Sequence, residues 1–153
     1  MKKYISAFLA ILCCFSLFIY PAFATDSLAT SNSNCSRIDL PDGGYIIEEV
    51  TTMPAKARTT NSTAGTKTST RYTASGHVLY AVEVTGYYKY TGSSSWATSS
   101  AAAVYTYDSN VTYVSKSASY TSNYATATGR ITYLGDSESR IVKLYCDKNG
   151  NLS

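Results

Sequence analysis

His77-Val78-Leu79-Tyr80-Ala81-Val82-Glu83-Val84-Thr85-Gly86-Tyr87-Tyr88-Lys89-Tyr90-Thr91 sorts its side chains into two sets. Val78, Tyr80, Val82, Val84, Tyr88 and Tyr90 occupy alternate positions, and His77, Glu83, Thr85 and Lys89 fall between them. A period of two puts each set on one side of a pleated strand, so the pattern predicts a strand with one dry and one wet face. One-sided burial of this kind belongs to antiparallel sheets, because the strands of parallel sheets are covered on both faces. The stretch therefore sets the class as all-β and antiparallel.

Outward from this strand, Ser75-Gly76 separates it from residues 67–75, and the two segments read as a hairpin. Further back, Asp42-Gly43-Gly44 supplies turn chemistry before Tyr45-Ile46-Ile47-Glu48-Glu49-Val50, an edge strand by composition. Residues 51–66, with Pro54, Asn61 and Gly65, read as a mobile loop rich in Ser and Thr. Downstream, Gly92-Ser93-Ser94-Ser95 opens a loop that also carries Trp96. Residues 101–107 and 111–118 read as strands on either side of Asp108-Ser109-Asn110. Over residues 121–134, Ala125, Ala127, Gly129, Ile131 and Tyr133 alternate with Thr126, Thr128, Arg130 and Thr132. After Gly135-Asp136-Ser137, Val142, Leu144 and Cys146 alternate with Ile141, Lys143 and Tyr145, and Asn149-Gly150 ends the strand.

About seven strands, with turn signals roughly every 8 to 15 residues and no window of helical period, predict an immunoglobulin-like antiparallel β-sandwich. Closure into a barrel is the alternative. The small Ala125 and Ala127 require that the facing sheet approach closely or that tyrosines from it fill the space, since interiors are packed to crystal-like density.

Residues 1–24 carry Lys2 and Lys3, an apolar run from Ile5 to Tyr20, and Ala22-Phe23-Ala24 ahead of Thr25. Charged start, short apolar middle and small residues at the cleavage point form the three parts of a secretory signal peptide. Cys13 and Cys14 leave with it. Residues 25–40 read as a disordered leader and 41–153 as one β-sandwich domain, secreted and free of the membrane once the signal is cleaved. Cleavage removes two of the 13 basic side chains and none of the 10 acidic ones, so the remainder is near neutral. A neutral surface releases few counterions from a polyanion, which argues against nucleic acid as partner.

The segments Val84-Thr85-Gly86-Tyr87-Tyr88-Lys89-Tyr90-Thr91-Gly92-Ser93-Ser94-Ser95 and Leu144-Tyr145-Cys146-Asp147-Lys148-Asn149-Gly150-Asn151-Leu152-Ser153, with Asp42-Gly43-Gly44-Tyr45, Ser115-Lys116-Ser117-Ala118-Ser119 and Ala125-Thr126-Ala127-Thr128, carry a resemblance. Together they resemble small secreted proteins of Gram-positive anaerobes related to the clostridia. The resemblance implies export and a fold, and brings no catalytic residues with it. Where such proteins often have a cysteine shortly after the Tyr-x-Gly-Ser-Ser loop, this chain has Trp96-Ala97, which leaves the partner of Cys146 open.

Cys35 and Cys146 remain after cleavage, and an exported chain with an even count invites a disulfide between them. Against the bond, Cys35 falls in the leader and Cys146 lies on the apolar side of a strand, where cysteine serves as a small core residue. His77 is the single histidine, so neither a structural zinc site nor a Ser-His-Asp triad is expected, and no metal or cofactor is assigned. Glu48 and Glu49 are adjacent and point to opposite faces, which does not suit the paired carboxylates of a glycosidase. Asp108, Asp136, Glu138 and Asp147 sit at turns, where carboxylates bond the backbone.

The aromatic residues are the functional lead. Tyr87, Tyr88, Tyr90, Tyr105, Tyr107, Tyr113 and Trp96 are too many for a small core to supply with hydroxyl partners. Tyr87, Trp96, Tyr105 and Tyr107 are the expected ligand-binding residues. The expectation is a secreted, nonenzymatic interaction or binding module whose partner is a glycan or another extracellular protein. A carbohydrate-binding module and a small secreted hydrolase are the competing readings. Cross-strand pairing, which favours tyrosine for its own contacts, is the structural alternative for the same residues.

Overall fold

The computed structural model describes residues 34–53 and 61–153. Eight strands follow one another among them: β1 (Asn34–Asp39), β2 (Tyr45–Thr52), β3 (Ser62–Tyr72), β4 (Val78–Tyr90), β5 (Ser95–Thr106), β6 (Val111–Thr121), β7 (Tyr124–Tyr133) and β8 (Asp136–Tyr145). They form two antiparallel sheets, β1-β2-β3-β4-β5 and β6-β7-β8, and no described residue is helical. The antiparallel β-sandwich predicted from the succession of strands and turns is what forms. Its connectivity is simpler than the immunoglobulin-like arrangement expected. Every strand within a sheet neighbours its chain successor, whereas immunoglobulin domains interleave strands through Greek-key connections. Tight turns permit this. Leu134 and Gly135, at φ 51° and 93°, make a two-residue turn of the hand that twisted hairpins require.

Tyr80, Val82, Val84 and Tyr88 of β4 are buried, while Tyr87 and Lys89 are exposed. One local feature alters the face read from sequence. Arg71 pairs with Tyr80 and Tyr72 with Val78, so Leu79 is an extra residue at a β-bulge; it turns into the core and moves Val78 to the opposite side. Gly86 makes room for an aromatic ring, since a Cβ there would lie 2.6 Å from the Tyr88 ring. Tyr88 crosses to the second layer, where its hydroxyl donates to the Leu144 carbonyl at 2.6 Å.

Ala125 and Ala127 of β7 are fully buried, and a Cβ at Gly129 would sit 2.6 Å from Val82 Cγ2 and 2.9 Å from Val104 Cγ2. The layers therefore approach closely along β7, and Tyr88 fills the space beside Ala125. Both devices inferred from the small residues operate.

The two sheets are offset. β7 lies over β4 and β5, and β8 over β3 and β4, so β1 and β2 project beyond the small sheet while β6 runs beside β5. β1 is exposed along its length, and β6 is exposed after Val111. Charged groups hold the partly wet margin: Arg140 of β8 donates to Glu48 at 2.7 Å and to Ser69 at 2.8 Å, and Lys67 pairs with Glu48 at 3.2 Å. The tail folds back on β8. Tyr145 and Ser153 exchange two backbone hydrogen bonds, and Leu152 sits where a side chain on Gly65 would be.

Three expectations for the first strands change. β2, read as an edge strand, pairs on both sides, with β1 and with β3. The leader, read as disordered through residue 40, supplies β1 from Asn34, with pairs running from Asn34↔Val50 to Asp39↔Tyr45. Its polar side chains suit a strand that stays wet, which composition alone does not separate from disorder. The loop read over residues 51–66 is strand at both ends, β2 through Thr52 and β3 from Ser62. Residues 54–60, the signal peptide read over 1–24 and the leader up to residue 33 lie outside the described residues.

Candidate functional site

Residues directly opposed across a strand pair share a face, so register settles which side chains point outward. Val82↔Val104 and Val84↔Ala102 face the core, hence Ala81↔Tyr105, Glu83↔Ala103, Thr85↔Ala101 and Tyr87↔Ser99 face out. Pairing then skips Thr98, a β-bulge whose hydroxyl donates to the Tyr87 carbonyl at 3.1 Å, and resumes outward at Lys89↔Trp96. Trp96 is thus a strand residue and not the loop residue expected. The turn closes earlier, with Gly92 at φ 84° and the Thr91 N–H donating to the Ser94 carbonyl at 2.9 Å, which frees Ser95 to begin β5.

Trp96 is 41% exposed, Tyr87 46%, Tyr105 44%, and Tyr107, just past the end of β5, 58%. All four expected ligand-binding residues therefore lie on the surface, and register puts Tyr87, Trp96 and Tyr105 on one face. They form two ends of a track. Tyr87 and Trp96 lie diagonally across β4 and β5 at one end, and Tyr105 stands at the other with Tyr107 after it. The Ala81 and Tyr87 rows are six residues apart along β4, about 20 Å at ~3.3 Å per residue.

The floor between the two ends is mostly short-chained: Ala101 and Ala103 on β5, Thr85 on β4, and Thr66, Thr68 and Thr70 on β3, with Glu83 as its one charged side chain. β5 carries no charged residue. Glu83 accepts a hydrogen bond from Thr68 Oγ1 at 3.2 Å. Its charge is the main cause holding the Tyr105 hydroxyl above its ordinary pKa, followed by burial and by Tyr107, so Tyr105 presents a neutral donor at the surface. The alternation in residues 77–91 already put Glu83 with Tyr87. The floor of small and hydroxyl-bearing side chains was hidden in sequence because it is built by pairing between three strands.

The remaining chemical groups are engaged elsewhere. Both thiols are free: Cys35 is exposed on β1, opposite Glu49, whereas Cys146 is fully buried. Burial, with the Asp147 carboxylate adding to it, pushes the Cys146 thiol up to about 11. Cys146 has the core role that its alternation with Tyr145 allowed, and the disulfide considered from the cysteine count is not formed. His77 finds a carboxylate that its sequence neighbours did not offer, with Nε2 2.9 Å from Asp108 Oδ2. The nearby Ser75 hydroxyl is bonded to Thr73, and Asp108 accepts from the Asn110 backbone N–H and side chain, so this is a link between two turns. Glu48 is spent on Lys67 and Arg140, and Asp147 on Asn149 and Asn151. No three His, Cys, Asp or Glu side chains assemble into a metal site among the described residues.

Among the described residues, two clefts open away from the track. One of about 170 Å³ is lined by Arg71, Leu79 and Tyr133, the other of about 190 Å³ by Cys35, Glu48 and Lys67. Both fall below the roughly 300 Å³ at which small-molecule pockets begin. In the first, the Arg71 guanidinium is buried and already donates to Asp42 and to the Tyr72 carbonyl. Comparisons of the chain with protein-family models, with curated proteins and with solved structures find no match.

Proposed function

We propose that the protein is an exported, nonenzymatic binding module whose ligand lies on the outer face of β4 and β5. Export is supported by the three-part signal in residues 1–24 and by the resemblance to small secreted proteins. The observation that carries the binding reading is the exposure of Tyr87, Trp96 and Tyr105 on one face of two neighbouring strands. Large aromatic surface left in water is a usual mark of an interaction site. A face built on paired strands is also preorganised, so a ligand pays little ordering entropy on docking. Binding is favoured over catalysis because His77, Glu48, Asp108 and Asp147 are each committed to a turn or an ion pair.

Trp96 is the one tryptophan of the chain and stands on this face, so its emission is a built-in reporter. Titration of the pure protein with glycans, peptidoglycan and extracellular proteins is expected to give a saturable emission change with at least one of these classes. Tyr105→Ala is expected to weaken that response without altering the circular dichroism spectrum. A flat response to every class, or turnover of any of these compounds, would reject the reading.

A further inference from the structure

We infer that the β4–β5 face takes an extended, uncharged polysaccharide, laid along β5 and stacked at one end on Tyr87 and Trp96 and at the other on Tyr105. The inference rests on the binding-module reading and adds the ligand class. Three observations separate this ligand from its competitors. The first is the division of the aromatics. Protein partners are held by anchors clustered near the centre of a patch and ringed by neutral contacts. Here the rings stand about 20 Å apart with Ala101, Ala103, Thr85 and Glu83 between them, so no aromatic anchor occupies the centre and the rings stand at the ends. A long, thin ligand touching both ends fits that arrangement, and a compact hot spot does not.

The second observation is charge. β5 has no ionisable side chain except its tyrosine, and the outer positions of β4 opposite it carry one acid and one base, Glu83 and Lys89. Binding of a nucleic-acid strand needs a row of cations along the backbone path as well as rings for stacking, and an acidic glycan needs cations too. The third is the hydrogen-bonding floor. Thr66, Thr68, Thr70, Thr85 and Ser99 present hydroxyls along the track, and Glu83 presents an acceptor. Hydroxyls donate and accept alike, which suits a ligand covered in hydroxyls of its own. Sugar rings then offer apolar C–H faces to the tyrosines and tryptophan, whose polar tips remain free to hydrogen-bond.

The test is titration calorimetry with a soluble neutral β-glucan, a neutral xylan, a polyuronate and short oligosaccharides of the same linkages. At least one neutral polymer is expected to bind, the polyuronate weakly or not at all. Trp96→Ala and Tyr105→Ala should each lower the polymer affinity about tenfold, in line with the worth of one stacked ring. Trp96→Phe and Tyr105→Phe should restore most of it, which separates stacking from any loss of fold. Oligosaccharides too short to reach both ends should bind at least about tenfold more weakly than the polymer, because the second contact is then lost. Equal affinity for short and long sugars, or tighter binding of the polyuronate, would overturn the inference. So would silence from every glycan while a secreted protein binds and shifts Trp96 emission, an outcome that leaves the binding-module reading standing.

Discussion

Tyr88 does more for the sandwich than its ring volume suggests, because its buried hydroxyl reaches the Leu144 carbonyl of the other sheet. Tyr88→Phe keeps the ring and orphans the acceptor, so a loss of about 1 to 3 kcal/mol is expected in denaturant unfolding. Cys146 and Cys35 differ as sharply as two thiols can. At pH 8 a thiol reagent is expected to titrate Cys35 quickly and Cys146 only after unfolding; native protein with no reactive thiol would contradict the structure. The folded pKa of Cys146 is raised, so its contribution to stability is intact below its ordinary 9.0 and is lost as pH climbs through about 11. Asp108 has the opposite sign. The Asn110 backbone N–H, with the Asn110 amide and His77 behind it, lowers its pKa, so it stabilises the fold above the usual carboxylate range and that stability is lost as pH falls through the lowered value. Asp108→Asn is expected to reduce the melting temperature at neutral pH and to shrink its fall on acidification.

Strands were legible in the sequence to the degree that one face was dry. β4 announced itself through Val and Tyr at every second position, and β7 and β8 through the alternation of Ala125 and Ala127 and of Val142 and Leu144. β1 and the start of β3 were missed because β1 is mostly polar (Asn34, Ser36, Arg37, Asp39) and β3 opens on Ser, Thr, Ala and Gly, side chains that also build loops. Their strand character comes from the neighbour they pair with. The bulge at Leu79 escaped for the same reason, since an extra residue shows only against a partner's register. The fit between layers is an element-scale property with its own test. Gly129→Ala would put a methyl 2.6 Å from Val82 Cγ2, so β7 must withdraw from β4 and β5, at a cost of about 1 to 3 kcal/mol in thermal or denaturant unfolding. Val82→Ala in the same protein is expected to recover part of that loss, which simple additivity of two core defects would not give.

Across the whole molecule, the offset between a five-stranded and a three-stranded layer decides where function can reside. The small sheet protects one side of β4 and β5 and leaves the other side to solvent, and Tyr87, Trp96 and Tyr105 stand on the open side. Their identity was readable from composition, and the face of Tyr87 from its period. Their grouping into two ends over a floor of small and hydroxyl-bearing side chains depended on pairings between β3, β4 and β5 that no single segment encodes. Backbone amide nuclear magnetic resonance of the nitrogen-labelled protein, titrated with a neutral β-linked polysaccharide, addresses the β4–β5 site directly. Shifts confined to Thr66, Thr68 and Thr70 and to residues 81–89 and 96–105 are the predicted result. Shifts gathered instead around Arg71 or Lys67 in the clefts, with Trp96 and Tyr105 unmoved, would contradict it.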